Sequence, residues 1–356
     1  MEPSFRKKLS DRMAKGSVRS LLSFEDGMID FWSNDYLGLG KNSETIQITS
    51  ASGSRLISGN THRMEEVERE LASIFGSEAA LIFNSGYDAN LGFFGAVPQR
   101  GDTILYDELI HASVRDGIRL SFARAFSFAH NDMSDLKKKL DQAKGTVYVA
   151  VESLYSMDGD FAPLLDLIQL CESTGAYLIV DEAHAGAVFG KQGGGISEDL
   201  GLQERIFARL YTFGKGFGAH GAVCCVSEEM RTFLINFARS FIYTTAMPEA
   251  LYVHLLNQVK AVAPELQREL QERISSFREL LPNERSSSRS PIQMIDFSSM
   301  DHCLKAAAEL RNSGFAVKAI LPPTVKEDQC RIRVCIHAFN TRQDIQRLAE
   351  LLKRFI

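Results

Sequence analysis

The sequence predicts an α/β protein in which a large domain on a mainly parallel, seven-stranded sheet is followed by a smaller α+β domain. From about residue 64 to 227, short β-branched or aromatic runs alternate with segments of helical spacing, the pattern of strands joined by crossover helices. At 356 residues the chain exceeds one ordinary domain and can bury a large core. After Pro248 the pattern changes to a long helical stretch and then to short alternating elements.

In chain order the candidate strands are Ala80–Asn84, Thr103–Tyr106, Arg124–Phe128, Thr146–Glu152, Tyr177–Asp181, Arg209–Phe213 and Ala222–Val226. Met133–Ala143 and Leu164–Thr174 carry apolar residues three and four apart and read as helices. Glu249–Leu281 is a helical stretch broken by Pro264, and the polar run Asn283–Ser290 is a loop. The division expected is an N-terminal arm over 1–45, a large α/β domain over 46–246 and a small α+β domain over 247–356.

Composition excludes several functions. With 45% apolar and 24% charged residues and a net charge of −5, no charged field marks the chain for nucleic acid or a membrane surface. Its cysteines (171, 224, 225, 303, 330 and 335) lie mostly in apolar stretches and lack C-x-x-C or His-rich spacing, so buried thiols in a reducing cytosol are expected, and no metal. The opening MEPSFRKKLSDRMAKG has no signal-like apolar run, and nowhere do 18 apolar residues follow one another. A cytoplasmic protein with no nucleic-acid or membrane partner is the expectation.

Four segments carry candidate chemistry. Thr212-Phe213-Gly214-Lys215-Gly216-Phe217-Gly218 sets a lysine between an apolar strand and a glycine cluster. Glycines let a flat ligand approach, and a desolvated amine loses its proton readily enough to form Schiff bases. The plain alternative is a lysine in a flexible surface turn, because lysine is seldom buried. Gly216–Gly221 also fits G-x-G-x-x-G, but that dinucleotide turn needs a helix after it, and 222–226 reads as a strand.

Tyr177-Leu178-Ile179-Val180-Asp181-Glu182-Ala183-His184 is an apolar strand ending in an acid, where open α/β sheets bind ligands. The competing magnesium-binding D-E-A-H reading requires a G-x-x-x-x-G-K-[ST] phosphate loop, and Lys215 is followed by glycine. An acid for a pyridine nitrogen fits better. Phe83-Asn84-Ser85-Gly86-Tyr87 turns from strand to helix and leaves N–H groups for a phosphate, although most such turns hold none. In Asp107-Glu108-Leu109-Ile110-His111-Ala112-Ser113, His111 could cover a flat ring or simply cap the helix.

In order and spacing these segments, together with Ser156 in Glu152–Asp160, resemble the α-oxoamine synthases, within the aspartate-aminotransferase-like (fold type I) enzymes that use pyridoxal 5′-phosphate (PLP). Asn34-Asp35-Tyr36-Leu37-Gly38, Gly53-Ser54-Arg55-Leu56, Tyr243-Thr244-Thr245-Ala246, Pro322-Pro323-Thr324-Val325 and Arg331-Ile332-Arg333 extend the resemblance over about residues 30 to 355.

The resemblance implies roles for residues at the matching positions. Lys215, His111, Asp181 and His184 would carry the catalysis. Lys215 would hold PLP as a Schiff base and take the α-proton of the amino acid; Asp181 would pair with the pyridine nitrogen; His184 would reach the ring oxygen; His111 would stack on the ring. Gly86 and Tyr87 would cradle the phosphate, with Ser156 and Thr212 as further contacts. Thr244 or Thr245 would reach the phosphate of a neighbouring subunit, since the family places its site at a homodimer interface. Arg333, or Arg331 on the same strand face, would bind the substrate carboxylate, with Thr324 and Asn34 as further substrate-side candidates.

The implied reaction is a decarboxylative condensation of L-alanine with a pimeloyl thioester, on coenzyme A or a carrier protein, to 8-amino-7-oxononanoate in biotin biosynthesis. Glycine C-acyltransferase or another α-oxoamine synthase activity stays open, as does, more distantly, a fold type I aminotransferase or lyase. Departures from the family pattern fall at Met64 in place of a histidine, at Leu321 in place of an arginine and at Asn340 in place of a histidine, and the N-terminal arm is short. Arg19 could bind a distal carboxylate or be an ordinary solvated arginine.

Overall fold

The structure, a computed structural model, describes residues 4–14, 18, 21, 23, 27–41, 45–281, 288–322, 325 and 329–356. It falls into two compact units, one of Asn34–Ser156 and Asp160–Glu269, the other of Met1–Ser33, Met157–Gly159 and Leu270–Ile356. The division therefore differs from the expected 1–45, 46–246 and 247–356. Helix Glu249–Lys260 buries Tyr252, Leu255, Leu256 and Val259 and packs on helix His62–Ile74, which keeps it in the large unit. At the other end Ile29–Asp30 pairs in parallel with Phe315–Ala316, which draws the described part of the N-terminal segment into the small unit.

The large unit is built on β1 (Ala79–Phe83), β2 (Thr103–Asp107), β3 (Arg124–Phe128), β4 (Val147–Glu152), β5 (Tyr177–Asp181), β6 (Ala208–Thr212) and β7 (Ala222–Val226). Their spatial order is β1-β7-β6-β5-β4-β2-β3. Only β7 runs against its neighbours; the other pairs are parallel. The reason lies in the connections. Parallel strands need a crossover, whereas β6 and β7 are joined by the glycine-rich turn 213–221 alone, too short for one. The strand reading of 222–226, and with it the rejection of a dinucleotide turn, holds.

Central strands bury both faces, which is why they read as continuous apolar runs. On β5, Leu178 and Val180 join one core with Val149 and Leu167, while Ile179 joins the other with Phe93, Ile104 and Leu210. Because β1 to β6 all point the same way, the ends at Phe83, Asp107, Phe128, Glu152, Asp181 and Thr212 lie along one edge of the sheet.

The small unit has an antiparallel sheet of β8 (Ile292–Asp296), β9 (Lys318–Ile320) and β10 (Arg331–Cys335), in the order β9-β10-β8. Helix Met300–Asn312 is capped by Ser299, and helix Arg342–Leu352 starts at a Thr341–Asp344 capping box. Pro264 opens the helix Pro264–Leu280, a position where its missing N–H costs nothing. Asn340, one of the departures, ties two segments of this unit together. Its Oδ1 accepts the His337 N–H at 2.8 Å, and its Nδ2 donates to the Asp30 carbonyl at 2.9 Å. All six cysteines are buried and in the thiol form, with no disulfide among the described residues. No helix of the described residues is long and apolar enough to cross a membrane.

Candidate active site

At the end of β1 the chain turns through Ser85, whose hydroxyl caps helix Gly86–Ala96 by accepting the Asp88 N–H at 3.1 Å. The N–H groups of Gly86 and Tyr87 open the helix and have no intrahelical acceptor. Together with the helix dipole they form an anion-binding end. Glycine is required at 86 by space: a Cβ there would stand 2.3 Å from Thr212 Cγ2 on β6.

One turn into that helix, Asn90 is buried and donates to Asp181 Oδ2 at 2.9 Å and to Ser113 Oγ at 3.0 Å. The other carboxylate oxygen of Asp181 accepts the Ala183 N–H at 2.9 Å. Asp181 is thus aimed from two sides. Ser113 in turn bonds His111 Nδ1 through its hydroxyl at 2.7 Å and its N–H at 3.2 Å, so Nδ1 accepts and Nε2 carries the ring proton. His111 is both the cap of helix Ala112–Leu120 and a wall of the cavity, so the two readings of this histidine are compatible. Burial lowers its pKa; the Asp181 charge opposes that and the Lys215 charge adds to it, so the ring is neutral at pH 7.

The turn between β6 and β7 delivers Lys215, whose Nζ lies 2.9 Å from His184 Nε2. His184 Nδ1 lies 2.7 Å from the Tyr36 hydroxyl, and that hydroxyl donates to Asn34 Oδ1 at 3.1 Å. With its one proton given to Asn34, Tyr36 accepts from Nδ1–H, which leaves Nε2 as the acceptor for the lysine amine. The chain Lys215–His184–Tyr36–Asn34 therefore links the amine to the N-D-Y-L-G segment.

A cavity of about 230 Å³ at the C-terminal ends of the strands has Gly86, Tyr87, His111, Asp181, Thr212 and Lys215 in its walls, whereas His184, Tyr36 and Asn34 stand outside the wall, linked to it through Lys215. It suits a small flat ligand, being below the range of about 300–1,000 Å³ for drug-sized pockets. Sequence reading missed Asn90, Tyr36, Ser113 and Glu152. Glu152 ends β4 beside Asp181, with which it is in register, and lines the same cavity. Burial first, and then the Asp181 charge, push its carboxyl up to about 8 against a smaller opposing effect of Lys215. At neutral pH Glu152 is protonated. The signal that selected Asp181, a carboxylate closing an apolar strand, also marks Glu152; the signal for Asn90 is a lone amide in an otherwise apolar helix turn. Asn90 Oδ1 and Glu152 Oε1 are buried acceptors without a partner among the described residues.

Several predicted residues stand outside the cavity wall. Ser156 is half-buried at the end of its stretch of the large unit. Thr244 Oγ1 and the Thr245 carbonyl accept from Asn84 Nδ2 at 3.1 and 3.0 Å, beside the phosphate turn, with the Thr245 side chain exposed. Arg333 lies on β10 of the small unit and donates to Cys335 Sγ at 3.0 Å. Arg331, on the same strand, is buried and paired with Asp158 at 2.7 Å and Asp296 at 3.4 Å. Thr324 and Arg19 lie outside the described residues. A larger cavity, about 700 Å³, opens at the other end of β6, but its guanidinium, Arg209, is engaged by the carbonyls of Phe75 and Gly76 and the hydroxyl of Tyr211.

A profile described as aminotransferase class I and II matches residues 26–352. The chain belongs to that family. Within it the chain is 36% identical to the 8-amino-7-oxononanoate synthase of Emericella nidulans over 400 residues, covering all of this chain and 96% of that protein. It is 38% identical to the synthase of Pseudomonas aeruginosa, covering 91% of this chain and 85% of that protein. Among solved structures, the 8-amino-7-oxononanoate synthase of Francisella tularensis superposes with a TM-score of 0.80 at 29% identity, covering 93% of this chain and 98% of that one. A serine palmitoyltransferase of S. paucimobilis, solved with bound PLP and myriocin, reaches 0.88 at 23% identity over 99% of this chain and 96% of that one; at that identity the likeness concerns the fold, here fold type I.

Proposed function

We propose that this class I and II aminotransferase-family chain is a PLP-dependent acyltransferase that condenses L-alanine with a pimeloyl thioester, releasing carbon dioxide and the free thiol, to give 8-amino-7-oxononanoate for biotin synthesis. The observation that carries the reading is Lys215 Nζ at 2.9 Å from His184 Nε2, in a cavity whose opposite features are the Gly86–Tyr87 N–H groups and the braced Asp181 carboxylate. The similarity at 36–38% identity to proteins named 8-amino-7-oxononanoate synthase supports the substrate pair.

The residues fit PLP by chemistry. N–H groups and a helix start suit the phosphate, the carboxylate suits a protonated pyridine nitrogen, the neutral His111 ring suits the flat face, and a lysine amine suits the aldehyde. When bound, PLP supplies the electron sink that lets the amino acid's α-carbon give up its proton and form a carbon–carbon bond. Everything else falls to this chain. Lys215 holds the cofactor and, once displaced by substrate, takes the α-proton on Nζ. His184, oriented by Tyr36, keeps a bare Nε2 toward that amine. Asp181 is kept facing the ring nitrogen because Asn90 and the Ala183 N–H occupy both its oxygens. Glu152, protonated, closes the wall without adding a second negative charge beside Asp181. Thr212 and Ser156 complete the cofactor's surroundings, and Arg333, Thr324 and Asn34 serve the substrate.

The working form is a homodimer whose partner subunit brings Thr244 or Thr245 to the phosphate; the exposure of Tyr243 and Thr245 beside Asn84 supports it. The experiment is an absorbance titration of the PLP-loaded protein with L-alanine, glycine and L-serine, then pimeloyl-coenzyme A, with mass-spectrometric analysis of product. A visible band that responds best to alanine, and 8-amino-7-oxononanoate as product, are expected. A preference for glycine or serine, or amino transfer to a keto acid without thioester consumption, would overturn the reading.

A further inference from the structure

The H-N-D segment His130-Asn131-Asp132, directly after β3, carries no motif that local pattern ties to the chemistry above, yet it forms a dense polar junction. His130 Nδ1 lies 2.9 Å from Asp107 Oδ1 at the end of β2, and Nε2 lies 2.7 Å from Asp160 Oδ2 in the loop after β4. The ring stands edge-on to Tyr155 with centroids 4.5 Å apart. Asn131 has φ +55, a left-handed conformation that asparagine tolerates, and this turns its groups toward the same acceptors. Its N–H donates to Asp107 Oδ2 at 3.0 Å, and its Nδ2 to Asp160 Oδ2 at 2.8 Å and the Phe161 carbonyl at 3.2 Å. Asp107 in turn takes the Leu109 N–H at 2.8 Å.

Asp107 begins the loop that ends in His111, and Asp160 closes the loop that contains Ser156. The Asp160 carbonyl accepts the Tyr155 N–H at 3.0 Å, so the two ends of that loop are tied. His130 itself is not in the cavity wall. We propose that His130 is a positioning residue: by bridging Asp107 and Asp160 it fastens the loop carrying His111 to the loop carrying Ser156 and fixes both relative to the cofactor cavity. The proposal rests on the functional reading above, though the fastening itself does not require the cofactor.

A bridge of this kind needs both ring nitrogens as donors. Burial alone would lower the ring's pKa, but the hydrogen bonds and charges of Asp107 and Asp160 outweigh it and push the pKa up to about 10, so the ring is an imidazolium at neutral pH. Serving only as the cap of a helix would be a different function, and the neighbouring Asp132 already caps Met133–Leu140 by accepting the Ser134 and Asp135 N–H groups. Asp132 therefore serves as the control.

The test is hydrogen–deuterium exchange of the cofactor-free protein as His130→Gly, Asp160→Asn and Asp132→Ala, followed by kinetics of the PLP-loaded forms. In His130→Gly, exchange is expected to rise together in 108–113 and 153–161, with the central strands unchanged. Asp160→Asn should do the same more weakly, whereas Asp132→Ala should affect 133–140 alone. Loaded His130→Gly should lose about 10- to 100-fold in kcat, the scale of a small misplacement of reacting groups. Imidazole should restore both exchange and kcat, and 1-methylimidazole, which cannot donate from two nitrogens, should restore neither. Equal rescue by both, or exchange that rises in only one of the two segments, would overturn the proposal. A wild-type protein that fails to bind PLP would sink the functional reading, while the exchange data would still decide the fastening.

Discussion

His111 and His130 follow adjacent strands, β2 and β3, and carry opposite charge states. His111 is desolvated and has the Lys215 cation for company, so its pKa falls and its ring stays neutral, with Nδ1 accepting from Ser113. His130 sits between two carboxylates, so its ring holds two protons. The residue type is the same; the partners differ. A neutral ring faces the cavity, where a charged one would compete for the Asp181 carboxylate, and the ring that is charged at neutral pH is placed in the supporting wall.

The largest effect should come from the cavity side. Lys215→Ala should reduce turnover by at least about 10³-fold, within the range for loss of a positioned proton acceptor, with an unchanged fold by circular dichroism. Near-normal turnover would remove Lys215 from the role and the contrast with it. Next, Gly86→Ala should weaken PLP binding about tenfold, measured by equilibrium dialysis, because the new methyl meets Thr212 Cγ2 at 2.3 Å. Adding Thr212→Ser removes that methyl and should recover most of the loss. No recovery would mean that the phosphate turn is not limited by this contact.

A third prediction concerns pH and the supporting wall. The folded-state pKa of His130, about 10, lies above the ordinary 6.5, so its stabilisation is full below pH about 6.5 and is lost as pH rises through about 10. The charged and titratable groups facing it are Asp107, Asp160, Glu108, whose carboxylate accepts the His130 N–H, and Tyr155. The difference in thermal midpoint between wild type and His130→Gln should therefore be large near pH 6 and shrink toward pH 10. A difference that grows with pH would show the ring to be neutral and erase the comparison. The smallest effect belongs to Glu152→Gln. Because Glu152 is protonated at about pH 4 in the folded chain and largely so in the unfolded one, the amide should shift the midpoint there by no more than about 2 °C. Between pH about 4.5 and about 8 the wild type should lose stability that the variant keeps, since the unfolded chain ionises there while the buried acid does not, and above pH about 8 the difference should level off.

How much of the molecule is legible in its sequence depends on the kind of signal. The sheet is legible because strands buried on two faces are continuous apolar runs bounded by turns; Tyr177–Asp181 and Ala222–Val226 appear with the expected ends, and so does the largely exposed edge strand Arg124–Phe128. Lys215, Asp181, Gly86 and His111 are legible because each sits at a strand-to-loop junction, where local grammar predicts exposure to a ligand. Asn90 and Tyr36 are not. Each acquires its role from a residue far along the chain, Asn90 from Asp181 and Tyr36 from His184, and no local pattern encodes such a partner. The limits of the two compact units are hidden for the same reason: Pro248 marks a change of pattern, but the packing of Glu249–Lys260 on His62–Ile74 decides to which unit that helix belongs.

By itself, then, the order of apolar runs, glycines and strand-end acids determined the α/β class, the edge of the sheet that holds the candidate site and the amine and acid that line its cavity. These follow from periodicity and backbone freedom, which act over a few residues. Tertiary structure alone decided which histidine is charged, which arginine is paired with Asp158, and that the Glu152 carboxyl has its pKa pushed upward. Those outcomes depend on burial and on charges brought together from distant parts of the chain, and electrostatics responds to distance in space and not to separation in sequence.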